Sequence, residues 1–354
     1  MAKTAARELT RPAQVGDVQI GGGAPVAVQS MTCTDTADAA STLAQVRALA
    51  EAGCDLVRVT VPAERALPAF AEVCAASPVP IVADIHFDYR LAIAAVEAGA
   101  AKVRINPGNI GSWEKVDAVI DAAGAAGAAI RIGVNAGSLE HAIAERQDLT
   151  QPEKLTLSAL HFVEHFEGRG FTNIVLSAKA HSVPTTLATY RALSRELPQV
   201  PLHLGVTEAG GVRQGTIKSA VGLGALLEEG IGDTLRVSLT ADPVEEVPVA
   251  WGILECLGIR RRGPELISCP TCGRTQVDLI RIAGEVERRL AGCTKPISVA
   301  VMGCVVNGPG EAADADVGVA CGRGQALLFR HGEVIRHVAE DRIVEELMAE
   351  IERL

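Results

Sequence analysis

Positive charge is scarce in this chain of 354 residues. Lys and Arg total 33 against 43 Asp and Glu, a formal net charge of −10. Binding nucleic acid without regard to sequence needs a basic surface, so that class of partner is set aside. No apolar run reaches the roughly 20 residues that span a bilayer, which argues against a membrane protein. Residues 1–14 hold three basic side chains and Glu8 but no apolar stretch, so a secretory signal is excluded and a short disordered arm is expected. Aromatic side chains make up only 3 % of the chain, while Ala, Val, Ile, Leu and Gly dominate. That is the composition of strands buried on both faces in a parallel α/β protein. Nine cysteines spread over this length do not form a disulfide scaffold; they read as reduced thiols of a cytoplasmic protein. Six of them, Cys33, Cys54, Cys74, Cys256, Cys293 and Cys321, are expected as buried small hydrophobes.

The length exceeds what one hydrophobic core usually holds, so two domains are expected. From Pro25 onward a unit recurs, a β-branched strand followed by an Ala-rich helix that ends on Gly. Strands are read at 26–32, 55–61, 80–86, 101–107, 129–135, 173–179, 201–207 and 233–239. Eight such units over roughly 230–250 residues predict a TIM-type (β/α)8 barrel. A doubly wound open sheet competes, but no Gly-x-Gly-x-x-Gly follows the first strand. Upstream, 15–23 reads as two short strands around a Gly-rich turn, a hairpin suited to plug the barrel's base. The fifth connection, 138–170, is longer and holds His141, His161 and His165. His161 and His165 stand four apart on one helical face, but no companion acid is placed for a metal role, so they read as packing or surface residues. Residues 255–262 turn basic and Gly/Pro-punctuated, a linker between a barrel domain, 1–263, and a second domain, 264–354. In the second domain helices are expected over 275–290 and 341–354, with strands over 297–302, 317–321, 326–330 and 333–337. A small α+β domain accommodates them.

In a barrel the C-terminal strand ends face the active site. Counting by twos gives Arg58 and Thr60, Asp84 and His86, Arg104 and Asn106, Arg131 and Asn135, Ser177 and Lys179, His203 and Thr207, and Arg236 and Ser238. Four arginines and a lysine converging from five strands would cost many kcal/mol if buried without an anion. Arginine matches phosphate oxygens with two parallel hydrogen bonds, so the pocket reads as a diphosphate clamp inside an acidic protein. An internal ion-pair network is the alternative, and it lacks acids: Asp84 and Glu208 alone stand nearby in this reading. Glu208, at the rim of the seventh strand, is a candidate proton donor, or else it holds an arginine in place.

The second domain carries Ser268-Cys269-Pro270-Thr271-Cys272-Gly273-Arg274, completed further on by Met302-Gly303-Cys304-Val305-Val306-Asn307-Gly308-Pro309-Gly310-Glu311. Thiolates select iron–sulfur clusters, zinc or Cu(I). Cys-x-x-Cys opens both zinc and iron–sulfur sites. The second domain holds neither a second Cys-x-x-Cys nor a His-x-x-x-His, so a four-ligand structural zinc site is poorly supplied there. The Pro and Gly residues beside the thiols leave backbone N–H groups free for cluster sulfurs. Three thiolates leave one metal corner for a weaker ligand or a substrate, and Glu311 is the nearest candidate. A structural zinc knuckle remains open on spacing alone.

CPTCGR followed by VMGCVVNGPGE resembles the signature of the 4-hydroxy-3-methylbut-2-en-1-yl diphosphate synthase family in its bacterial two-domain form. The likeness continues through VQSMT, VRVTVP, DIHFD, VRINPGNIG, RIGVNAGSL, LSAK and LGVTEAG, so it covers nearly the whole chain. There is no large insert of the plant type between barrel and second domain. The resemblance implies an oxidoreductase of the methylerythritol phosphate route to isoprenoids, which opens 2-C-methyl-D-erythritol 2,4-cyclodiphosphate by two-electron reduction and loss of water. It implies a 4Fe-4S cluster on Cys269, Cys272, Cys304 and Glu311, and diphosphate contacts from Arg58, Arg104, Arg131, Asn135, Lys179, Thr207 and Ser238. Glu208 corresponds to a proton-relay carboxylate, and Asn307 to a residue of the cluster loop that touches substrate. The strand-end reading adds Arg236, His86 and Asp84 to the substrate contacts. Flavodoxin or ferredoxin is the implied electron donor, and a head-to-tail homodimer the implied assembly. Two rivals stand beside it: a zinc-stabilised barrel lyase or transferase, and a non-catalytic phosphate-sensing module.

Overall fold

A computed structural model describes residues 6–304, 310, 312 and 314–354. The chain divides into two compact units, Met1–Arg260 and Arg261–Leu354. No helix among the described residues is long and apolar enough to cross a membrane.

The first unit opens with an antiparallel hairpin, β1 (Ala13–Val15) and β2 (Val18–Ile20). Gly16, at φ +60, makes the tight turn with Asp17. Gly21, Gly22 and Gly23 lie beyond β2. Eight parallel strands follow: β3 (Ala27–Met31), β4 (Leu56–Thr60), β5 (Ile81–Asp84), β6 (Lys102–Ile105), β7 (Ala129–Asn135), β8 (Ile174–Lys179), β9 (His203–Leu204) and β10 (Thr234–Leu235). Helices α1 (Ala39–Ala52), α2 (Leu67–Ala76), α3 (Tyr89–Glu97), α4 (Pro107–Ile110), α5 (Trp113–Ala126), α6 (His141–Ala144), α7 (Gln151–Gly168), α8 (Val183–Glu196), α9 (Val212–Glu228) and α10 (Glu246–Cys256) lie between and after them. Local signals place the helix ends. Asp38 caps α1 by accepting from Ser41 N–H, and Gly53, at φ 114, closes it in the left-handed conformation.

The strands pair in the order β8-β7-β6-β5-β4-β3-β10-β9. A parallel bridge between Leu176 and Leu202 joins the two ends into a barrel. β9 and β10 are shorter than expected. Backbone bonds continue past them, Thr207 N–H to Ala180 O at 3.2 Å and Arg236 N–H to Leu204 O at 3.0 Å, without a regular ladder. Alternation sorts each strand. Val57, Val59, Val103, Ile130 and Ile132 join the core shared with the helices. On the other face of the strands, Ala27, Leu56, Val82, Ala129 and Val175 form an apolar layer against Ala13, Val15 and Ile20 of the hairpin. The hairpin therefore plugs the base.

The stretch from Ala6 to Pro12, expected as disordered arm, is fastened to the barrel. Arg7 N–H donates to Gly230 O at 2.8 Å and its Nη2 to Leu227 O at 2.7 Å, while the Thr10 hydroxyl donates to Asp233 Oδ1 at 2.8 Å. Burial pushes the Asp233 carboxyl up to about 6, against the opposing pull of Leu202 N–H, Thr10 and Arg7. The folded chain thus holds a proton that the unfolded chain gives up near its ordinary value, and stability from this group falls as pH rises from about 4 to about 6. Asp233→Asn removes that slope. Relative to the native protein, its unfolding free energy should improve by about 3 kcal/mol between pH 4 and pH 7. Denaturant titrations at the two pH values check this, and parallel curves would show an ordinary, ionised carboxylate.

His161 and His165 are engaged separately. His165 Nε2 lies 2.7 Å from Asp117 Oδ1 and its ring stacks on Trp113, whereas His161 Nδ1 lies 3.7 Å from Glu140. Cys54 and Cys321 are buried as expected and Cys74 and Cys293 partly so, but Cys33 and Cys256 are exposed. Cys256 ends α10, and Cys33 follows β3 with its sulfur 3.3 Å from Gln45 Nε2, so neither faces the core.

The second unit is a five-stranded mixed sheet in sequence order: β11 (Glu265–Ser268), β12 (Ser298–Met302), β13 (Val317–Gly322), β14 (Gln325–Arg330) and β15 (Glu333–Ala339). β11, β12 and β13 are parallel; β14 and β15 return antiparallel. Helices α11 (Leu279–Leu290) and α12 (Ile343–Glu352) bury Ile282, Val286, Leu347 and Ile351 with Val299, Val301 and Val319 of the sheet. The first of these helices starts at Leu279, later than expected, because Asp278 caps it by accepting from Arg281 N–H.

Candidate active site

Two residues beyond the apolar layer at the base, the inward positions become polar. Gln29, Arg58, Asp84, Arg104, Arg131 and Ser177 are all buried there, with Lys179 further along β8, His203 on β9 and Arg236 just after β10. Asp84 is the centre of the ion pairing. Arg104 Nη1 lies 3.4 Å from Oδ1, while Arg58 Nε at 4.0 Å and His86 Nε2 at 3.7 Å approach Oδ2. Burial alone would raise this carboxyl, but Arg58, Arg104 and Arg131 together hold it at about 2. It remains ionised at any working pH.

The cations outnumber it. Burial brings Arg58 down to about 10 despite Asp84, and its remaining contacts are to the Met31 sulfur, a weak acceptor, at 2.7 and 3.0 Å. Arg131 donates from Nη1 to Ser177 Oγ at 2.9 Å, leaving Nε and Nη2 without partners. With the Asn135 amide turned to donate to Val134 O, its oxygen accepts from Arg104 Nη2 at 2.8 Å. Glycine makes the room for these groups. A Cβ on Gly133 would stand 2.5 Å from Arg104 Nε, and one on Gly205 2.7 Å from Lys179 Nζ. Lys179 Nζ meets His203 Nε2 at 3.3 Å, and burial followed by the surrounding cations pushes both groups well below their ordinary values.

Arg236 differs from the others. Glu246, buried on α10, takes its Nη2 at 3.0 Å and its Nε at 3.2 Å, and also accepts from Ser30 Oγ at 2.7 Å. The expectation that Asp84 and Glu208 are the nearby acids is therefore corrected, because Arg236 has its own carboxylate. Glu246 escaped notice because it sits in a helix beside other acids and reaches the site only through tertiary packing. Lys102 was missed for a simpler reason: the alternation that found Arg104 needed one more step back along β6. Asn106, counted with the strand ends, accepts from Gly108 N–H and donates to Ser138 Oγ, so it shapes α4.

A cavity of about 590 Å³ is lined by Asn135, Lys179, His181, Thr207 and Glu208, among others. Glu208 is exposed there at φ 53, a left-handed conformation that a non-glycine residue adopts at a cost. Ser238 is half-buried two residues beyond Arg236. Asn307 and Glu311 lie outside the described residues. Of the expected barrel residues, Arg58, His86 and Arg104 meet at Asp84 and Asn135 joins Arg104, while Arg131 meets Ser177 and Lys179 meets His203; Thr207, Glu208 and Ser238 stand further along the strand ends.

In the second unit, pairing of Ser268 with Val301 puts Cys269 and Cys304 in adjacent loops at the C-terminal ends of β11 and β12. Gly303 N–H donates to Cys269 Sγ at 3.1 Å, and Cys272 N–H donates to Thr275 Oγ1 at 3.2 Å. The Arg274 N–H, aided by Thr275, draws the Cys272 thiol below its ordinary value. Among the described residues no three Cys, His, Asp or Glu side chains form a ready metal site. The donor set nevertheless suits a soft metal or cluster, with three thiols on neighbouring loops and a backbone donor aimed at one sulfur.

Fold and site together define a class, a (β/α)8 barrel protein with an anion-seeking interior, extended by a small thiol-bearing α+β domain. Residues 10–251 match the GcpE TIM-barrel domain and residues 265–353 the GcpE protein C-terminal domain. The chain belongs to the GcpE family. A curated relative from Maridesulfovibrio salexigens, named 4-hydroxy-3-methylbut-2-en-1-yl diphosphate synthase (flavodoxin), is 54% identical over 347 residues, 98% of this chain and 97% of its own. Relatives of the same name from Lawsonia intracellularis and Geobacter sulfurreducens are 52% and 53% identical, each over 98% of this chain and over 97% and 98% of their own. Among solved structures, a dihydropteroate synthase from Coxiella burnetii in complex with pteroic acid aligns with a TM-score of 0.50 at 12% identity. It covers 69% of this chain and 98% of its own, a likeness of barrel fold alone.

Proposed function

We propose that this chain converts 2-C-methyl-D-erythritol 2,4-cyclodiphosphate to (E)-4-hydroxy-3-methylbut-2-enyl diphosphate. Two electrons and two protons enter and one water leaves, with a flavodoxin as electron donor. The observation that carries the reading is the cationic interior of the barrel, where Arg58, Arg104, Arg131 and Lys179 are all buried and Asp84 pairs with only the first two of them. A diphosphate supplies the missing negative charge and the acceptors for the free N–H groups of Arg131.

In this reading the arginines and Lys179 grip the diphosphate, and Asn135, Thr207 and Ser238 add hydrogen bonds that fix its orientation. Asp84, with His86 beside it, keeps Arg58 and Arg104 in place rather than moving a proton, since it stays ionised. Arg236, tied to Glu246, steadies the rim. Glu208, exposed along the cavity, delivers a proton to the oxygen that departs. Asn307 meets the substrate from the loop after Cys304. Cys269, Cys272, Cys304 and Glu311 would hold a 4Fe-4S cluster, which when bound would supply electrons and Lewis acidity to the reaction.

Clamp and thiols lie on different units, and the proposal is that a head-to-tail homodimer in the cytoplasm unites one chain's cluster with the other's barrel. Cys304→Ala and Arg131→Ala chains, each inactive alone, should regain up to about a quarter of native activity after mixing and subunit exchange, by statistics of one intact site in half of the dimers. No recovery after proven exchange would place both halves of the site in one chain.

The direct test of the function is metal analysis on protein purified without oxygen. About four irons and four sulfides per chain, with a brown colour bleached by dithionite, are expected, followed by turnover of the cyclodiphosphate. One zinc and no sulfide would overturn the reductase and favour a zinc-stabilised barrel enzyme.

A further inference from the structure

Lys102 is fully buried and its Nζ has no hydrogen-bond partner. β6 sets it in register with Val82 of β5 and Ala129 of β7, both members of the apolar layer on the hairpin. Valine or methionine would fill that position without the cost of burying an amine. The groups around it offer no relief. Arg58 from β4, Arg131 from β7 and His203 from β9 face it, with Lys179 of β8 against His203. The one carboxylate among these strands, Asp84, is taken by Arg58, Arg104 and His86. Burial first, then Arg131 and Arg58, drive the Lys102 amine well below its ordinary range.

We propose that Lys102 is a positioning residue of the anion site, supporting Arg58 and Arg131 from the layer below and taking up a proton from solvent when a diphosphate binds above them. The proposal rests on the reading of the barrel as a diphosphate site. An anion that neutralises the two arginines removes the repulsion that adds to burial in disfavouring the ammonium. The new ammonium then adds its own attraction across a medium of low dielectric. Binding of the anion and of the proton reinforce each other, and linkage makes that reciprocal. Affinity for the anion should therefore fall as pH rises through the window where Lys102 gains its proton only in the complex.

The test uses the whole protein and inorganic pyrophosphate. Calorimetry between pH 7 and 9, in pairs of buffers with different ionisation enthalpies, counts protons taken up on binding. Native protein is expected to take up protons. Lys102→Met should take up about one fewer, bind pyrophosphate more weakly, and lose about tenfold per pH unit from the pH dependence of affinity. An unchanged proton count and pH profile in Lys102→Met would reduce Lys102 to a structural filler and leave the clamp standing. Failure of the native protein to bind pyrophosphate would overturn the clamp and this proposal with it. Should Lys102→Met not fold, Lys102→Gln, which keeps the length and loses the titrating amine, decides: about one proton fewer taken up supports Lys102 as the acceptor, and an unchanged count overturns it.

Discussion

Arg131→Met is expected to lower kcat/KM by about 10²–10³-fold while making the ligand-free protein harder to unfold. The two effects have one cause. Arg131 is 1 % exposed, donates one hydrogen bond to Ser177, and leaves two N–H-bearing nitrogens unpaired. Its charge is disfavoured by burial and then by Arg58 and Arg104, with Asp84 offsetting only part. Replacing a poorly paired buried ion by an apolar side chain of similar reach stabilises by about 1–4 kcal/mol. For a unit of this size that corresponds to a rise in Tm of about 2–4 °C per kcal/mol. With a diphosphate bound the balance reverses, because a charge-assisted pair that loses one partner costs about 3–5 kcal/mol. Steady-state kinetics and thermal unfolding of the same preparation read both quantities. A variant that lost activity and stability together would make Arg131 a member of a structural ion-pair network.

Cys304→Ala should abolish turnover together with iron, sulfide and colour, and leave the fold intact. Cys304 follows the C-terminal end of β12 and is mostly buried, so alanine removes a sulfur and little packing. Cys321→Ala is the contrast. Cys321 lies inside β13 among apolar neighbours, and burial pushes its thiol up to about 12, which suits a small hydrophobe rather than a ligand. That variant should keep its full iron content and lose only a little stability. Metal analysis and far-ultraviolet circular dichroism distinguish the two. Iron retained in Cys304→Ala would remove this thiol from the ligand set, and iron lost from Cys321→Ala would add one.

Much of the barrel was legible because its strands repeat a local rule. A strand buried on both faces reads as a β-branched run, and the side chains that interrupt it with charge, such as Arg58, Arg104 and Arg131, announce an inward face by their spacing alone. The thiol motif was legible for a similar reason, since Cys269 and Cys272 lie close in the chain. Elements that depend on distant partners were not. β11 was not read as a strand because four residues, Glu265–Ser268, become one only through pairing with β12. The arm at Ala6–Pro12 looked free because its anchors, Leu227, Gly230 and Asp233, lie more than two hundred residues away.

The sequence by itself determined the barrel class, the excess of inward cations and the thiol set, because each is written in periods of two to four residues. Tertiary structure alone decided how that charge is apportioned. Glu246 returns from α10 to occupy Arg236, Asp84 is divided among Arg58, Arg104 and His86, and Arg131 and Lys102 are left unpaired at the barrel's axis. Pairing between charges depends on distances of a few ångströms across strands and helices far apart in the chain, and in a buried interior those distances decide which cations still require an anion.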